Sequence, residues 1–182
     1  MLNDTAKRYG WGSIALHWLG AALVIALFLV GEQLEELGRG PARDDVLWLH
    51  VSLGSIAVVL LTARIVWRLV QRSPEPPPQP RALRLLSILM LWALLALIAV
   101  LIVSGPLIQW TAGRPIFVFD LFNIPSPLPT MRGLHEALEE VHDTAAHLLI
   151  PLVLLHVLGA LKHLVIDRDG SFMRMIRVRS SG

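Results

Sequence analysis

An all-α integral membrane four-helix bundle is the fold this sequence predicts, and three observations predict it. Of 182 residues, 54% are hydrophobic and only 16% are charged, where a soluble domain carries about 25% charged residues. The mean hydropathy is +0.61. The charges cluster between four apolar runs, each long enough to cross a hydrocarbon core about 30 Å thick. These runs are read as spans at residues 13–31, 46–70, 83–103 and 142–166, and residues 1–182 as a single transmembrane domain. No internal repeat is evident.

Each element has its own signals. Lys7 and Arg8 before the first apolar run resemble a signal peptide, but His17 inside the run and the lack of an A-x-A site argue for an uncleaved first span. Between spans two and three, residues 71–80 read QRSPEPPPQP. Five prolines in ten residues fix φ and remove amide donors, so this is a short, stiff surface link. The third span is expected to end at Ser104–Gly105–Pro106. Residues 109–132 then mix Trp110, Phe117, Phe119 and Phe122 with four prolines, which suits a loop lying in the membrane interface. The fourth span opens at His142.

Lysine and arginine set the topology. With the N-terminus inside, the cytoplasmic segments hold Lys7, Arg8, Arg64, Arg68, Arg72, Arg81, Arg84, Lys162, Arg168, Arg174, Arg177 and Arg179. The outer segments hold Arg39, Arg43, Arg114 and Arg132. Twelve against four is a strong positive-inside bias, so both termini are expected in the cytoplasm. That bias also accounts for a pI near 9.7 without nucleic acid as a partner.

The chain has no cysteine. Disulfides, thiolate-held iron–sulfur clusters, c-type haem attachment and cysteine nucleophiles are therefore excluded. Histidine is left as the main candidate metal ligand, with seven copies: His17, His50, His135, His142, His147, His156 and His163.

Two of these share a helix face. His142 and His156 are fourteen residues apart, which on a helix is about 21 Å of rise and about 40° short of four full turns. One imidazole would lie near each membrane surface, both directed at the same neighbours. His17 lies one turn into the first span, near the cytoplasmic side, and His50 one turn into the second, near the periplasmic side. Depth therefore pairs His17 with His156 and His50 with His142. Imidazole inside a membrane is costly and marks a functional site. Two facing imidazoles at one level can hold a planar iron porphyrin between helices. Filling both axial positions closes the iron to substrate and leaves electron transfer. Zinc is the rival metal, but a tetrahedral site wants its ligands in one small cluster, and these are split between two depths.

The remaining polar residues keep two readings each. Arg64, fourteen residues after His50, is either a partner for a haem propionate at the inner level or a snorkelling topological cation. Arg68 is read as topological only. His163 and His135, each seven residues from a candidate ligand, are either proton handlers or surface histidines at helix ends. His147 faces elsewhere and takes no role. Trp18, next to His17, is expected to line the cofactor pocket.

The strings ALHWLG around His17, LHVSLGS around His50, ARIVWRL around Arg64 and Arg68, and HDTAAHLLIPLVLLH resemble the bacterial cytochrome b561 family. GRPIFVFDLF resembles that family's periplasmic connection, and the ordered set spans Arg8 to Arg177. The resemblance implies a four-helix bundle in the bacterial inner membrane with two b-type haems, whose ligand positions fall on His17, His50, His142 and His156. It also implies an activity, superoxide oxidase, which takes electrons from periplasmic superoxide and reduces ubiquinone. In that enzyme the histidine matching His163 lies near the quinone.

Three functions compete on these residues. A superoxide:ubiquinone oxidoreductase would attract its anionic substrate with Arg39, Arg43, Arg114 and Arg132, although Glu32, Glu35, Glu36, Asp44, Asp45, Glu136, Glu139 and Glu140 share the outer side. An electron-transfer subunit linking quinone to a soluble cytochrome or dehydrogenase suits that acidic face. A non-redox scaffold leaves the paired histidines unexplained. Quinone reduction takes protons, so the quinone site is expected beside the inner haem, with His163 as hydrogen-bond partner and Lys162 and Arg64 at similar depth. His135 is expected in the outer loop.

Topology is testable directly. A reporter fused after Gly182 should be active only when it folds in the cytoplasm; activity confined to the periplasm would contradict the assignment.

Overall fold

The computed structural model describes residues 1–72 and 74–176. Arg177 and Arg179, counted above among the inner cations, lie outside the described residues. The chain forms α1 (Trp11–Glu36), α2 (Pro41–Val70), α3 (Arg81–Thr111), β1 (Ile116–Val118), β2 (Phe122–Ile124) and α4 (Arg132–Lys162). A π-helical turn at His163–Asp167 and a 3₁₀ turn at Phe172–Met175 follow. Among the described residues, four helices are long and apolar enough to cross a membrane.

The helices run past the apolar segments at several ends. Pro41 sits in the first turn of α2, where its missing amide costs nothing, and Asp44 there and Arg68 in the last turn complement the helix dipole. α4 begins at Arg132, ten residues before His142. The expected break at Ser104–Gly105–Pro106 does not occur, and α3 continues to Thr111 with Pro106 inside it. Pro106 removes one helical hydrogen bond, but α3 is packed along α4 and against α2, and that packing carries the helix through the proline. α4 likewise carries Pro151 without ending.

The expected interfacial loop is partly regular structure. Residues 109–111 close α3, and β1 pairs antiparallel with β2 in the register Ile116↔Ile124 and Val118↔Phe122. Phe119, just after β1, has φ 48°, a left-handed backbone that favours glycine. Ser52 of α2 holds it: its Oγ accepts the Phe119 amide at 3.0 Å and donates to Phe117 O at 3.3 Å. Trp48 packs edge-on against Phe119, with ring centres 5.6 Å apart. The hairpin is thus pinned within a turn of His50.

Both described ends of the chain gather at the opposite end of the bundle, together with the α2–α3 link. Asp4 ties the N-terminal segment down, accepting from Gly10 N at 2.7 Å and Ser13 Oγ at 2.8 Å, while its own amide donates to Gln71 Oε1 at 3.2 Å. Ser13 Oγ in turn accepts from Trp67 Nε1 at 2.9 Å. Gly10 allows the segment to fold back this closely, since a Cβ there would lie 2.1 Å from Leu2 O. The link joins through Glu75 N to Ala6 O at 2.9 Å, and the 3₁₀ turn through Trp18 Nε1 to Met175 O at 2.8 Å.

Inside and outside are inverted relative to a water-soluble bundle. The buried hydrophobic core includes Ala57, Leu61, Ile116, Ala145 and Leu149, whereas Val59 is 72% exposed and Leu29, Leu89, Trp92 and Leu154 also face outward. Lipid is the solvent such a surface fits. α1 packs on α2 and α3 on α4, with α2 against α3. A cavity of about 460 Å³ lies between the helices and is lined from all four of them.

Candidate functional site

Helical spacing places His142 and His156 on one face of α4, and each meets a ring from another helix. His156 faces His17 of α1, with ring centres 6.2 Å apart and planes at 71°. His142 faces His50 of α2, with ring centres 6.3 Å apart and planes at 76°. The first pair lies at the end carrying the described chain ends, the second at the hairpin end.

These distances suit a shared metal ion. Metal to imidazole nitrogen takes about 2 Å, and nitrogen to ring centre about 1 Å more. Two rings on opposite sides of one ion therefore have centres about 6 Å apart. Direct imidazole–imidazole hydrogen bonding is not needed to explain the approach, and neither pair has one in the structure. His50 Nδ1 is buried without a hydrogen-bond partner among the described residues.

The surroundings leave room on both sides of the hairpin-end pair. The cavity runs past His50 and His142 with Gly31, Gly54 and Gly105 in its wall. A Cβ at Gly31 would sit 3.6 Å from His50 Cε1, and one at Gly105 would sit 3.6 Å from His142 Cε1. Small residues thus stand next to both rings. The cavity volume falls in the range of cofactor sites, about 300–1,000 Å³. A planar metal complex with two imidazole ligands fits the donor set and the room.

The two pairs differ in what holds them. At the hairpin end, Ser104 Oγ lies 2.8 Å from His142 Nδ1 and also bonds Val100 O. A carbonyl only accepts, so the single hydroxyl proton goes to Val100 and the Ser104 lone pair takes Nδ1–H from His142. Nε2 of His142 is then the nitrogen with a free lone pair. At the other end, the Arg64 guanidinium lies 3.0 Å from His17 Nδ1. Guanidinium only donates, so His17 accepts through Nδ1. Ligation by either nitrogen of His17 ends that contact: through Nδ1 the lone pair is taken, and through Nε2 the proton moves to Nδ1. Arg64 is then released for another acceptor at the same level.

The other histidines sit as follows. His135 is in the first turn of α4 rather than in a loop, because α4 starts ten residues earlier than its apolar stretch; Nδ1 lies 3.1 Å from Ile108 O and Nε2 lies 3.3 Å from Glu139. His147 turns towards α1, 3.4 Å from Glu32 and 3.2 Å from Asp143, with its ring against Phe28. Trp18 stands edge-on to His17, ring centres 5.2 Å apart, while its Nε1 reaches Met175.

His163 caps α4 and opens the π-helical turn. Its Nδ1 lies 2.7 Å from Asp169 Oδ2 and 3.1 Å from Asp167 Oδ2. Lys162 bonds Asp167, and Arg64 bonds His17, so neither of these cations pairs with His163 in the structure. Burial works to raise the Asp169 carboxyl, but Ser171 and His163 outweigh it and hold the group below its ordinary range. Asp169 is therefore an anion that orients His163 through Nδ1.

Sequence reasoning missed Ser104 and Asp169. Ser104 carried a signal, a lone hydroxyl in an apolar run, but the adjacent Gly105–Pro106 made it look like a helix end. Asp169 reaches His163 across a π-helical turn, which no helical spacing anticipates.

A family model described as prokaryotic cytochrome b561 matches residues 8–177. The chain is similar to "Cytochrome b561 homolog 2" of Escherichia coli (strain K12), 31% identical over 181 residues that cover 98% of this chain and 96% of the relative. It is also similar to "Probable superoxide oxidase CybB" of Yersinia pestis, 29% identical over 176 residues, covering 93% of this chain and 96% of that one.

Proposed function

The chain belongs to the prokaryotic cytochrome b561 family and is a multi-pass electron-transfer protein of the bacterial inner membrane carrying haem b, and from that premise we propose that it binds two haems and moves electrons from the periplasmic side to ubiquinone, with superoxide as donor. The observation that carries this reading is the pair of facing imidazole couples sharing α4 at two depths. Haem b, when bound, would supply reversible one-electron transfer. His17 with His156 would hold one haem, and His50 with His142 the other.

The rest is the chain's own work. Arg64, released from His17 by ligation, is the cation proposed to hold a carboxylate of the inner haem. The termini end is proposed to be cytoplasmic, in line with the positive-inside bias. Two superoxide ions each give one electron and leave as dioxygen; one ubiquinone takes both electrons and two protons to become quinol. His163 is the proposed proton donor and hydrogen-bond partner for ubiquinone at that end. Asp169 and Asp167 keep its Nδ1–H engaged, so Nε2 is the nitrogen that can give and regain a proton. At the hairpin end, Arg43 lines the main cavity, and Arg114 lines a smaller one of about 180 Å³ with Trp48, Gln109 and Phe117. Both suit an anionic donor.

One arrangement favours a second reading, an electron-transfer subunit docked by a basic soluble partner. Glu32, Glu35 and Asp143 gather around His147 at the same end, and Arg132 is already paired with Glu136 at 2.9 Å. The named relative from Yersinia pestis supports superoxide over that alternative.

Single substitutions separate the two sites. His17→Ala or His156→Ala should lose the inner haem and keep the outer one, and His50→Ala or His142→Ala should do the reverse, read by redox-difference spectra. If His17→Ala and His50→Ala left the same remaining haem, the pairing would be wrong. His163→Ala should keep both haems and their reduction by superoxide, yet slow ubiquinone reduction at least tenfold in a stopped-flow assay. A wild-type quinone rate in that variant removes His163 from the quinone site.

A further inference from the structure

We infer that Ser104 is a positioning residue for the outer haem, holding His142 in the Nδ1–H form and lowering that haem's reduction potential. The inference rests on the reading of His142 as an axial ligand. Ser104 is 3% exposed, in the middle of an apolar helix. Its hydroxyl proton is committed to Val100 O at 2.7 Å, the carbonyl one turn back, which an i−4 serine reaches naturally. Donating that proton makes its oxygen a better acceptor towards His142 Nδ1, 2.8 Å away.

A metal-bound imidazole that donates its other N–H becomes a stronger ligand with a fixed tautomer and ring orientation. Stronger donation favours ferric over ferrous iron, and so lowers the potential. His50, across the pair, has no side-chain hydroxyl on its Nδ1 among the described residues. The inner pair differs again, since His17 meets a cation rather than a hydrogen-bond acceptor. The Ser104–Gly105–Pro106 sequence thereby acquires a purpose. Ser104 orients the His142 ring, and Gly105 places no side chain of its own against the Cε1 edge, from which a Cβ there would lie 3.6 Å.

The test is spectroelectrochemical titration of haem-loaded protein, with each haem isolated by ligand substitution. In a His17→Ala background, which keeps the outer haem, adding Ser104→Ala should raise the single midpoint potential, and Ser104→Thr, which retains the hydroxyl, should leave it at the parent value. In a His50→Ala background, which keeps the inner haem, Ser104→Ala should leave the midpoint unchanged. An unchanged or lowered outer midpoint in the alanine variant overturns the inference, as does a threonine variant that behaves like alanine. If alanine loses the outer haem, threonine decides: retention at the parent midpoint supports the inference, and anything else overturns it. Should His142→Ala alone keep two haems, the ligand assignment itself fails, an outcome distinct from the others.

Discussion

Imidazole inside an apolar bundle is the constraint from which the rest of this structure follows. Four such rings cannot be left unsatisfied in a medium without water, and the helices bring them together in two couples at 6.2 and 6.3 Å. α4 contributes one ring to each couple, so its register fixes the register of α1 and α2 against it. The interior is correspondingly thin in packed apolar side chains and wide enough for a cavity, with glycines where bulk would crowd the rings. Lipid-facing leucine and valine supply the outer surface instead.

The two couples are chemically unlike although their geometry is alike. One is backed by a neutral hydroxyl that accepts, the other by a guanidinium that donates. A neutral acceptor would stay in place if a metal bound His142. A guanidinium could not keep its contact with a metal-bound His17, so loading would require the His17–His156 pair to rearrange, whereas the hairpin-end pair is already oriented. The ends of the bundle differ in charge as well. Glu32, Glu35 and Asp143 crowd His147 near the hairpin, whereas His163 at the far end is paired with Asp169 and flanked by Lys162. This asymmetry suits different partners at the two surfaces.

Much of this was legible in the sequence because helical arithmetic is reliable where it applies. The fourteen-residue spacing of His142 and His156, with the depths of His17 and His50, gave the couples before any coordinates. What escaped it lay where local rules compete. Gly105–Pro106 reads as a helix end, yet tertiary packing carries α3 through it to Thr111. His135 looked like a loop residue because the amphipathic first turns of α4 are too polar to read as a span. The Phe119 turn depends on a distant serine, Ser52, and the His163–Asp169 contact on a π-helical turn. Neither dependence is periodic, so neither leaves a pattern in the chain.

The central claim is that each imidazole couple holds its own haem. The most direct measurement is the haem-to-chain ratio of the purified protein by pyridine haemochrome assay, combined with low-temperature electron paramagnetic resonance of the oxidised form. The account predicts two b-type haems per chain, both low-spin with two nitrogen ligands. A ratio of one, or a high-spin signal showing an iron with an open axial position, would contradict it.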